Sequence, residues 1–507
     1  MVAARPFSCT QLGGTLVCLV SLTHDRAMGL LIDGENCWRR AVADRLSVIV
    51  DADTYFRHAR EALLKAERRI MLVGWDFDAR IELVAEERLP GEPMGVGEFL
   101  YWLVERTPGL EIYLLRWDIG ALKTLVRGAT FLTVLKWMRH PRIHTKLDGH
   151  HPPAASHHQK LVAIDEDFAF CGGIDMTSNR WDTREHREND ARRAGPNGKL
   201  HGPWHDATIA VSGDAAATVA ELCRDRWQRA TGEKLTPATQ TRGAWPDALE
   251  AVFERVEVGL ARTCAAIGEQ AGVYEIEALF IAQIAAAERF IYLESQYFAS
   301  RKVAEAIARR LDEPDGPEIV IVNPVTAQGW LEPIAMDSAR GRLMEALRRR
   351  DLHGRLRLYH PVTTGGTAIY VHAKISIVDD RQLRVGSANL NNRSMRLDTE
   401  CDIIVDADAV ADQNVRPAIA GLRDNLVAEH LGVEPAVVTA KLAETRSLIA
   451  TIEALRGAGR SLRPYETPDL GDIEKWLADN EVLDPEGPEE MFEALSARGL
   501  FRRLRKT

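Results

Sequence analysis

The chain has 507 residues, of which 46% are hydrophobic and 27% are charged, and its formal net charge is -10. Its length allows two or more domains with a large buried core, and its composition is ordinary for a globular protein. The acidic balance argues against a protein whose main partner is nucleic acid, because such proteins need a basic face.

The seven cysteines are scattered and contain no CxxC pair, so the sequence predicts neither a disulfide framework nor a cysteine zinc site. This pattern favours a reducing compartment and a cytoplasmic protein, although peripheral membrane association and secretion stay open. Residues 1–36 are predicted to be a leader. It is either disordered or the result of a start codon assigned too early, with Met28 as the true first residue. Within the leader, Gly13–Leu22 matches a signal peptide poorly, and no later window is apolar enough for a transmembrane helix.

Residues 37–230 alternate short apolar strands with amphipathic helices, which is the pattern of a layered α/β sheet. The predicted strands are 47–50, 70–75 and 110–117, and the predicted helices are 55–68, 96–106 and 131–137. The last of these helices could touch a membrane surface, but a buried amphipathic helix is the better interpretation.

Residues 248–432 repeat this order after a connector, 231–247, that is rich in threonine, proline, glycine and charge. The predicted helices are 276–288, 302–311 and 339–350, and the predicted strands are 290–293, 318–322 and 356–359. Two halves with one element order indicate the duplication of one α/β unit. Residues 433–507 are predicted to form a helical, charged tail without visible chemistry.

One motif occurs once in each half. A histidine is followed by a lysine two positions later, by an aspartate seven positions later, and by Gly-Gly or Gly-Ser fourteen positions later. The two copies are His158, Lys160, Asp165 and Gly172-Gly173, and His372, Lys374, Asp379 and Gly386-Ser387. On a strand of period two, such as 371–378, the histidine and the lysine share one face. The spacing therefore predicts an imidazole beside an ammonium in a strand-turn-strand that ends in glycine.

The repeated motif resembles that of the phospholipase D superfamily. The likeness covers about residues 37–432 and includes segments such as Ile291–Phe298 and Gly386–Ser394. The resemblance implies an α/β fold of two duplicated sandwich halves related by a pseudo-twofold axis, with one active site at their interface. It implies no cofactor and no metal, because the lysines supply the positive charge that a metal would give.

The resemblance also implies a two-step displacement. His158 would attack phosphorus to form a phosphohistidine, while His372 would protonate the departing alcohol and later take a proton from the acceptor. Lys160 and Lys374 would hold the phosphate oxygens. The matching positions of the phosphate pocket and of the acids that orient the histidines are Gly173, Asp175, Ser387 and Asn389, and Asp206 and Glu400.

One phosphate flanked by two histidines needs one neutral and one protonated imidazole, so the two copies are expected to form a single asymmetric site. Which acid serves which histidine is left open. Asp165 and Asp379 are predicted to anchor their turns. His144 and His157 are rejected as site residues, because neither has both the lysine and the aspartate in register. Four tryptophans fit either a substrate pocket or core packing, namely Trp75, Trp117, Trp181 and Trp204.

The sequence thus predicts a phospholipase D-type phosphodiesterase that acts on glycerophospholipids at a membrane surface. It would release phosphatidate and a headgroup alcohol, with transfer to another alcohol competing with hydrolysis. The alternatives are a phosphatidyltransferase similar to cardiolipin synthases, which normally carry N-terminal membrane spans, a superfamily nuclease, and a non-catalytic binding protein. Headgroup preference and oligomeric state stay open, and a monomer is compatible with the sequence.

Overall fold

The computed structural model describes residues 10–12, 15–17, 29–85, 88–118, 128–239, 241, 243–327 and 336–466, and only the backbone of 10–17 and 128–131 within them. The first part contains β1 (Thr10–Leu12), β2 (Thr15–Val17), β3 (Arg39–Val50), α1 (Ala52–Leu64), β4 (Arg69–Gly74), α2 (Val96–Arg106), β5 (Glu111–Trp117), α3 (Gly128–Trp137), β6 (Ile143–Asp148), β7 (Leu161–Ile164), β8 (Phe168–Gly172), β9 (Trp204–His205), β10 (Ala207–Ser212) and α4 (Asp214–Thr231).

The second part begins with a long strand and ends at the last described strand. It contains β11 (Phe253–Cys264), β12 (Val273–Tyr274), α5 (Glu275–Ala286), β13 (Phe290–Glu294), α6 (Arg301–Asp312), β14 (Glu318–Val322), α7 (Ser338–Arg350), β15 (Leu356–Val362), β16 (Tyr370–Val371), β17 (Ile375–Val378), β18 (Gln382–Gly386), a π-helix (Arg393–Leu397), β19 (Glu400–Asp406), α8 (Val415–Leu431), α9 (Pro435–Thr445), α10 (Leu448–Leu455) and β20 (Ser461–Pro464).

One large mixed sheet runs through the described residues, which confirms the predicted α/β class. In the first half its strand order is β3-β10-β8-β7-β4-β5-β6, and in the second half it is β11-β19-β18-β17-β13-β14-β15. The outer three strands of each half are parallel, and the other neighbours are antiparallel. The halves meet where β3 pairs with β11. This matching order is what a duplicated unit would give, and the duplication itself stays a prediction.

Helices cover both faces of the sheet, because its central strands are apolar on both sides. On β4, Ile70 and Leu72 pack with α1 and α2, whereas Met71 and Val73 pack on the opposite face with α4. On β13 the alternation is the same, with α5 and α6 on one face and α8 on the other. Since α4 and α8 belong to one core cluster, the two halves share a hydrophobic core.

The strand predicted for 371–378 is interrupted at the motif, which corrects that expectation. β16 ends at Val371 and β17 begins at Ile375, and the first copy likewise lies just before β7. The chain changes partner at this point, because β16 pairs with β9 of the other half whereas β17 pairs with β13. The histidine and lysine of each copy therefore lie in a segment just before a strand, and in the second copy this segment follows directly on the pairing with the other half.

The predicted tail, 433–507, is described as far as residue 466. It forms α9, α10 and the strand β20, which pairs with β15 at the edge of the large sheet. At the other end of the chain, Leu30 and Leu31 of the predicted leader are buried in the core. The remaining parts of both segments lie outside the described residues, and the domain boundaries stay a prediction. Among the described helices, none combines the length and the apolar character needed to cross a membrane.

Candidate active site

Each motif copy continues into a tight β-hairpin whose turn residues have left-handed backbone angles. Asp165 and Glu166 have φ of 51° and 58° between β7 and β8, and Asp379 and Asp380 have φ of 54° and 57° between β17 and β18. Two consecutive left-handed residues are typical of the two-residue turn whose twist matches that of paired strands. The hairpins therefore hold the preceding histidine and lysine at a fixed distance from the returning glycine.

The motif aspartates lie at the far end of β7 and β17 from the histidines. The Asp165 carboxylate accepts the backbone N–H groups of Glu67, Arg68 and Arg69 at 2.7, 2.8 and 2.7 Å. Asp379 accepts those of residues 288, 289 and 290 at 2.5, 2.8 and 2.8 Å. In this position the two carboxylates fasten each hairpin to the start of the neighbouring strand.

His158 of the first half takes its acid from the second half. Its Nδ1 lies 3.0 and 3.1 Å from the two carboxylate oxygens of Glu400, at the start of β19. The hydroxyls of Ser387 and Ser394 donate to the same carboxylate at 2.5 and 2.6 Å. Burial raises the pKa of Glu400 to about 8, although the two hydroxyl bonds oppose the shift. The acid beside His158 therefore holds a proton at neutral pH.

His372 of the second half takes its acid from the first half. Its Nδ1 lies 2.6 Å from Oδ2 of Asp206, which is fully buried between β9 and β10. Burial alone would raise the pKa of Asp206, but its interactions with His372 and Lys374 hold it at about 2. The acid beside His372 is therefore an anion. The two histidine-acid pairs cross the boundary between the halves in opposite directions and build one site.

The two lysines make parallel contacts. Lys160 Nζ donates to the carbonyl of His158 at 2.7 Å and lies 3.3 Å from Oδ2 of Asp175, whereas Lys374 Nζ donates to the carbonyl of His372. Burial, reinforced by the charge of Lys160, lowers the pKa of Lys374 to about 7, although Asp206 opposes the shift. A bound phosphate would add the negative charge that favours its ammonium form.

Both motif histidines are held neutral in this environment. Burial together with the charges of Lys160 and Lys374 lowers the pKa of His158 well below its usual range. Burial and Lys374 lower the pKa of His372 as well, but the Asp206 carboxylate opposes that shift. Because Nδ1 of each ring faces its acid, Nε2 is directed to the other side, where a substrate can meet it.

The positions predicted to line the phosphate pocket differ between the copies. At Gly173 an added Cβ would lie 2.1 Å from Oδ1 of Asp206, so only glycine fits there. The matching Ser387 instead uses its hydroxyl to bind Glu400. Asp175 accepts the backbone N–H of Trp75 at 3.2 Å. Asn389 is buried, and its Oδ1 has no hydrogen-bond partner among the described residues.

Aromatic rings flank both histidines. Trp75 stacks on Trp117 with centroids 6.1 Å apart and meets the edge of His158 at 6.4 Å. Trp204 lies 5.2 Å from the ring of His372 and carries the Arg180 guanidinium 4.4 Å above it. Trp75 and Trp204 thus lie beside the motif histidines, Trp117 lies behind Trp75, and the fourth, Trp181, packs against the core of the first half.

Two residues of the site were not predicted from the sequence. Ser394 donates to Glu400, and Arg180 adds a positive charge that lowers the pKa of His372. Both lie in segments that resemble the family, but spacing alone does not distinguish them from their neighbours. The rejected His157 lies in a separate buried group, with Nε2 3.1 Å from Asp148 and Nδ1 3.0 Å from Thr399.

Both halves of the chain match known family models. A model described as "Phospholipase D" matches residues 62–251, and one described as "Cardiolipin synthase, PLD-like domain" matches residues 280–416. Phospholipase D A of Dictyostelium discoideum is 26% identical over 481 residues, which cover 78% of this chain and 36% of that protein. Phospholipase D alpha 1 of Carica papaya is 23% identical over 513 residues, which cover 74% of this chain and 63% of that protein.

A solved structure shares the fold over most of the chain. The crystal structure of phosphatidylserine synthase from Haemophilus influenzae aligns with a TM-score of 0.55 at 15% identity, covering 81% of this chain and 95% of that one. The chain spans less than two-thirds of the length of the two curated relatives. With a family model matched to each motif-bearing half, the chain belongs to the phospholipase D superfamily.

Proposed function

We propose that this protein is a phospholipase D-type phosphodiesterase that cleaves the distal phosphate ester of glycerophospholipids, giving phosphatidate and the headgroup alcohol. The observation that supports it best is the crossed pairing of each motif histidine with an acid of the other half. Such a site presents two imidazoles and two lysines to a single phosphate. These groups can carry out a double displacement at phosphorus.

In the first step, Nε2 of His158 attacks phosphorus and the bond to the headgroup oxygen breaks. His372 gives its proton to that oxygen, so that a neutral alcohol leaves. The phosphodiester anion favours the protonated form of His372, which already faces the ionised Asp206. Lys160 and Lys374 stabilise the negative charge on the non-bridging oxygens.

In the second step, neutral His372 takes a proton from water, whose oxygen attacks phosphorus as the bond to His158 breaks. The products are phosphatidate and the regenerated histidines. An alcohol in place of water gives a new phosphatidyl ester by the same bond changes. The protein is therefore proposed to catalyse transphosphatidylation as well as hydrolysis.

The alternatives differ in the acceptor or the substrate. A phosphatidyltransferase would use the same intermediate and prefer an alcohol to water. A nuclease would need contacts to a nucleic-acid backbone, which the net charge of -10 disfavours. A binding protein without activity would have no use for two complete histidine-lysine pairs, each with its own orienting acid.

The test is incubation of the full chain with phosphatidylcholine vesicles, with and without ethanol, and separately with single-stranded DNA. We expect phosphatidate and choline without ethanol, and phosphatidylethanol with it. The variant His158→Ala should form neither lipid product. The matched control is His144→Ala, because His144 also belongs to a His-x-Lys triplet but lies on β6 at the sheet edge.

The outcomes separate the alternatives. Phosphatidylethanol with little phosphatidate, even at low ethanol, would support the transferase. Cleaved DNA with intact lipid would support the nuclease and overturn the proposal. Loss of lipid cleavage in His144→Ala as well as in His158→Ala would remove the case for a specific role of the motif.

A further inference from the structure

A second cluster of titratable side chains lies behind the phosphate site. It consists of Asp51, His186, His205 and Glu429, hereafter the buried His-carboxylate cluster. Each residue offers one nitrogen or oxygen atom, and these four atoms all lie within 4.8 Å of one another. Their side chains are at most 2% exposed. The mechanism proposed above uses none of them.

Four distances within the cluster lie near those between the ligands of a tetrahedral metal ion, and two of them end on different oxygens of Asp51. His205 Nδ1 lies 3.3 Å from Asp51 Oδ1 and 2.9 Å from Glu429 Oε1. His186 Nε2 lies 3.2 Å from the same Glu429 oxygen and 3.5 Å from Asp51 Oδ2. In a tetrahedral zinc site with bonds of about 2.0–2.1 Å, the ligand atoms are roughly 3.3 Å apart.

Both histidines have their second nitrogen held by a further carboxylate. His186 Nδ1 lies 3.0 Å from Asp182 Oδ2, and His205 Nε2 lies 2.8 Å from Glu294 Oε2. Carboxylates in this position fix the tautomer of metal-binding histidines and raise the basicity of the nitrogen that binds the metal. The cluster therefore has the outer layer of partners that metal sites require.

One oxygen of the cluster has an ion-pair neighbour, His186, but no hydrogen-bond partner among the described residues. Oδ2 of Asp51 is buried and has no hydrogen bond among the described residues. Asp51 also has a φ of 65°, which is strained for a residue with a side chain. A buried carboxylate oxygen without a donor is costly, so its presence points to a cation that the oxygen would bind.

We propose that the buried His-carboxylate cluster binds one Zn²⁺ ion through Asp51, His186, His205 and Glu429. Two imidazole nitrogens and two carboxylate oxygens are ligands that zinc accepts, whereas Ca²⁺ and Mg²⁺ favour oxygen ligands alone. The two carboxylates balance the charge of the ion. Four protein ligands fill a tetrahedral site, so the ion has a structural role.

The ion would join the two halves of the chain. Asp51 follows β3, His186 lies in the loop after β8, and His205 belongs to β9, all in the first half, whereas Glu429 lies on α8 of the second half. The cluster is also connected to the phosphate site. Asp51 Oδ1 accepts the backbone N–H of Asp206 at 3.0 Å, and the carbonyl of His205 accepts that of His372 at 2.7 Å.

The sequence predicts no metal, for two reasons that do not apply to this cluster. The scattered cysteines argued against a cysteine zinc site, but the cluster contains no cysteine. The lysines make a metal unnecessary in the phosphate pocket, but the cluster lies outside that pocket. Its members are also far apart in the sequence, from Asp51 to Glu429, so no spacing rule could have found them.

The test is the metal content of the full chain, produced with zinc in the medium and dialysed, measured by mass spectrometry of the elements. We expect about one zinc per chain, and a loss of at least about fivefold in His186→Gln and in Glu429→Gln, since each removes one of four ligands. The matched control is His157→Gln, a buried histidine that contacts a carboxylate elsewhere and should keep its zinc. Cobalt exchanged into the site should show the intense visible bands of tetrahedral coordination.

A thermal measurement on the wild type covers the case in which the variants do not fold. Removal of zinc by a strong chelator should lower Tm by about 5 °C or more, and added zinc should restore it. Less than about 0.1 metal ion per folded chain, with a Tm unchanged by chelator, would show a network of hydrogen-bonded ions without metal and overturn the proposal. Equal zinc in wild type and Glu429→Gln would do the same.

Discussion

The two motif copies have the same backbone and different electrostatics. Each provides a histidine, a lysine bonded to the histidine carbonyl, and a hairpin fastened by an aspartate. The acids that orient the histidines differ, because Glu400 has a pKa raised to about 8 and Asp206 has one held at about 2. Equal scaffolds thus carry one neutral and one anionic partner.

This difference indicates how one chain assigns two roles to two similar histidines. An imidazole that must attack phosphorus needs to stay neutral, and a neutral acid beside it does not favour its protonation. An imidazole that must deliver a proton is helped by an anion at its other nitrogen. The proposed roles of His158 and His372 therefore follow the charge of their partners.

The largest effect on activity is expected when either motif histidine is replaced by alanine. On phosphatidylcholine, both His158→Ala and His372→Ala should lose at least about 10³-fold in kcat. On a phosphatidyl ester of p-nitrophenol, whose leaving group needs no proton, His372→Ala should still release a burst of nitrophenol. His158→Ala should release none, because the covalent step is lost.

A burst of nitrophenol is measured by stopped-flow absorbance, and the phosphorylated chain by intact mass. The two variants control for each other. A burst in His158→Ala with none in His372→Ala would show that His372 is the nucleophile and His158 the proton donor.

The second largest effect is expected for the acids that orient the histidines, and it should differ between the two. Asp206→Asn removes the anion beside His372, and we expect kcat to fall by roughly 10²- to 10⁴-fold. Glu400→Gln resembles the protonated carboxyl and should stay within about tenfold of wild type at pH 7. Steady-state rates between pH 5 and 9 check this, and a more severe loss in Glu400→Gln than in Asp206→Asn would contradict the comparison.

Glu400 also makes a stability prediction with a definite sign. Its ordinary pKa is 4.5 and its pKa in the folded chain is about 8, so in this range the folded protein holds a proton that the unfolded chain has released. Its contribution to the free energy of unfolding therefore decreases as the pH rises from about 4.5 to about 8. Glu400→Gln should remove this decrease, as denaturant unfolding at several pH values would show.

The pocket positions should give a smaller contrast. Gly173→Ala places a Cβ against the Asp206 carboxylate and should displace it from His372, lowering kcat/KM by about 10²-fold. At the matching position, Ser387→Ala removes one hydroxyl bond to Glu400 and should cost about tenfold or less. If both variants keep the Tm of the wild type and Ser387→Ala lowers kcat/KM more than Gly173→Ala does, the second copy is the more sensitive to substitution.

The smallest effects on activity are expected where the copies do the same work. Asp165→Asn and Asp379→Asn each weaken three bonds to backbone N–H groups. We expect each to lower the free energy of unfolding by about 1–3 kcal/mol, with kcat within about threefold of wild type. Denaturant unfolding and lipid turnover measure the two quantities, and loss of turnover in a folded variant would give the motif aspartate a chemical role.

The local sequence predicts much of the fold because its strands alternate with helices of clear periodicity. The helix 96–106 and the strand 318–322 have the predicted bounds. The long strand β3 was predicted only over 47–50, because its first part is charged and is held by pairing with β11 rather than by its own pattern. The second motif is not part of a strand for a related reason, since β16 pairs with β9 and β17 pairs with β13, and His372 and Lys374 lie between them.

The site was predictable where spacing determines proximity. A histidine and a lysine two residues apart lie on one side of an extended backbone, and Lys160 reaches back to donate to the backbone carbonyl of His158. The spacing of residues within one motif does not predict contacts between the two halves. The sequence therefore does not show that Glu400 faces His158 and that Asp206 faces His372. It could not reveal the buried His-carboxylate cluster for the same reason.

The crossed pairs have a consequence for any attempt to divide the chain. A cut in the connector 231–247 would give two fragments, each with a histidine whose acid is on the other fragment. Neither fragment alone could hold its imidazole in a defined tautomer, however well it folded. Reassembly of the two would restore both pairs at once, so the recovery of activity would report directly on the docking of one fragment to the other.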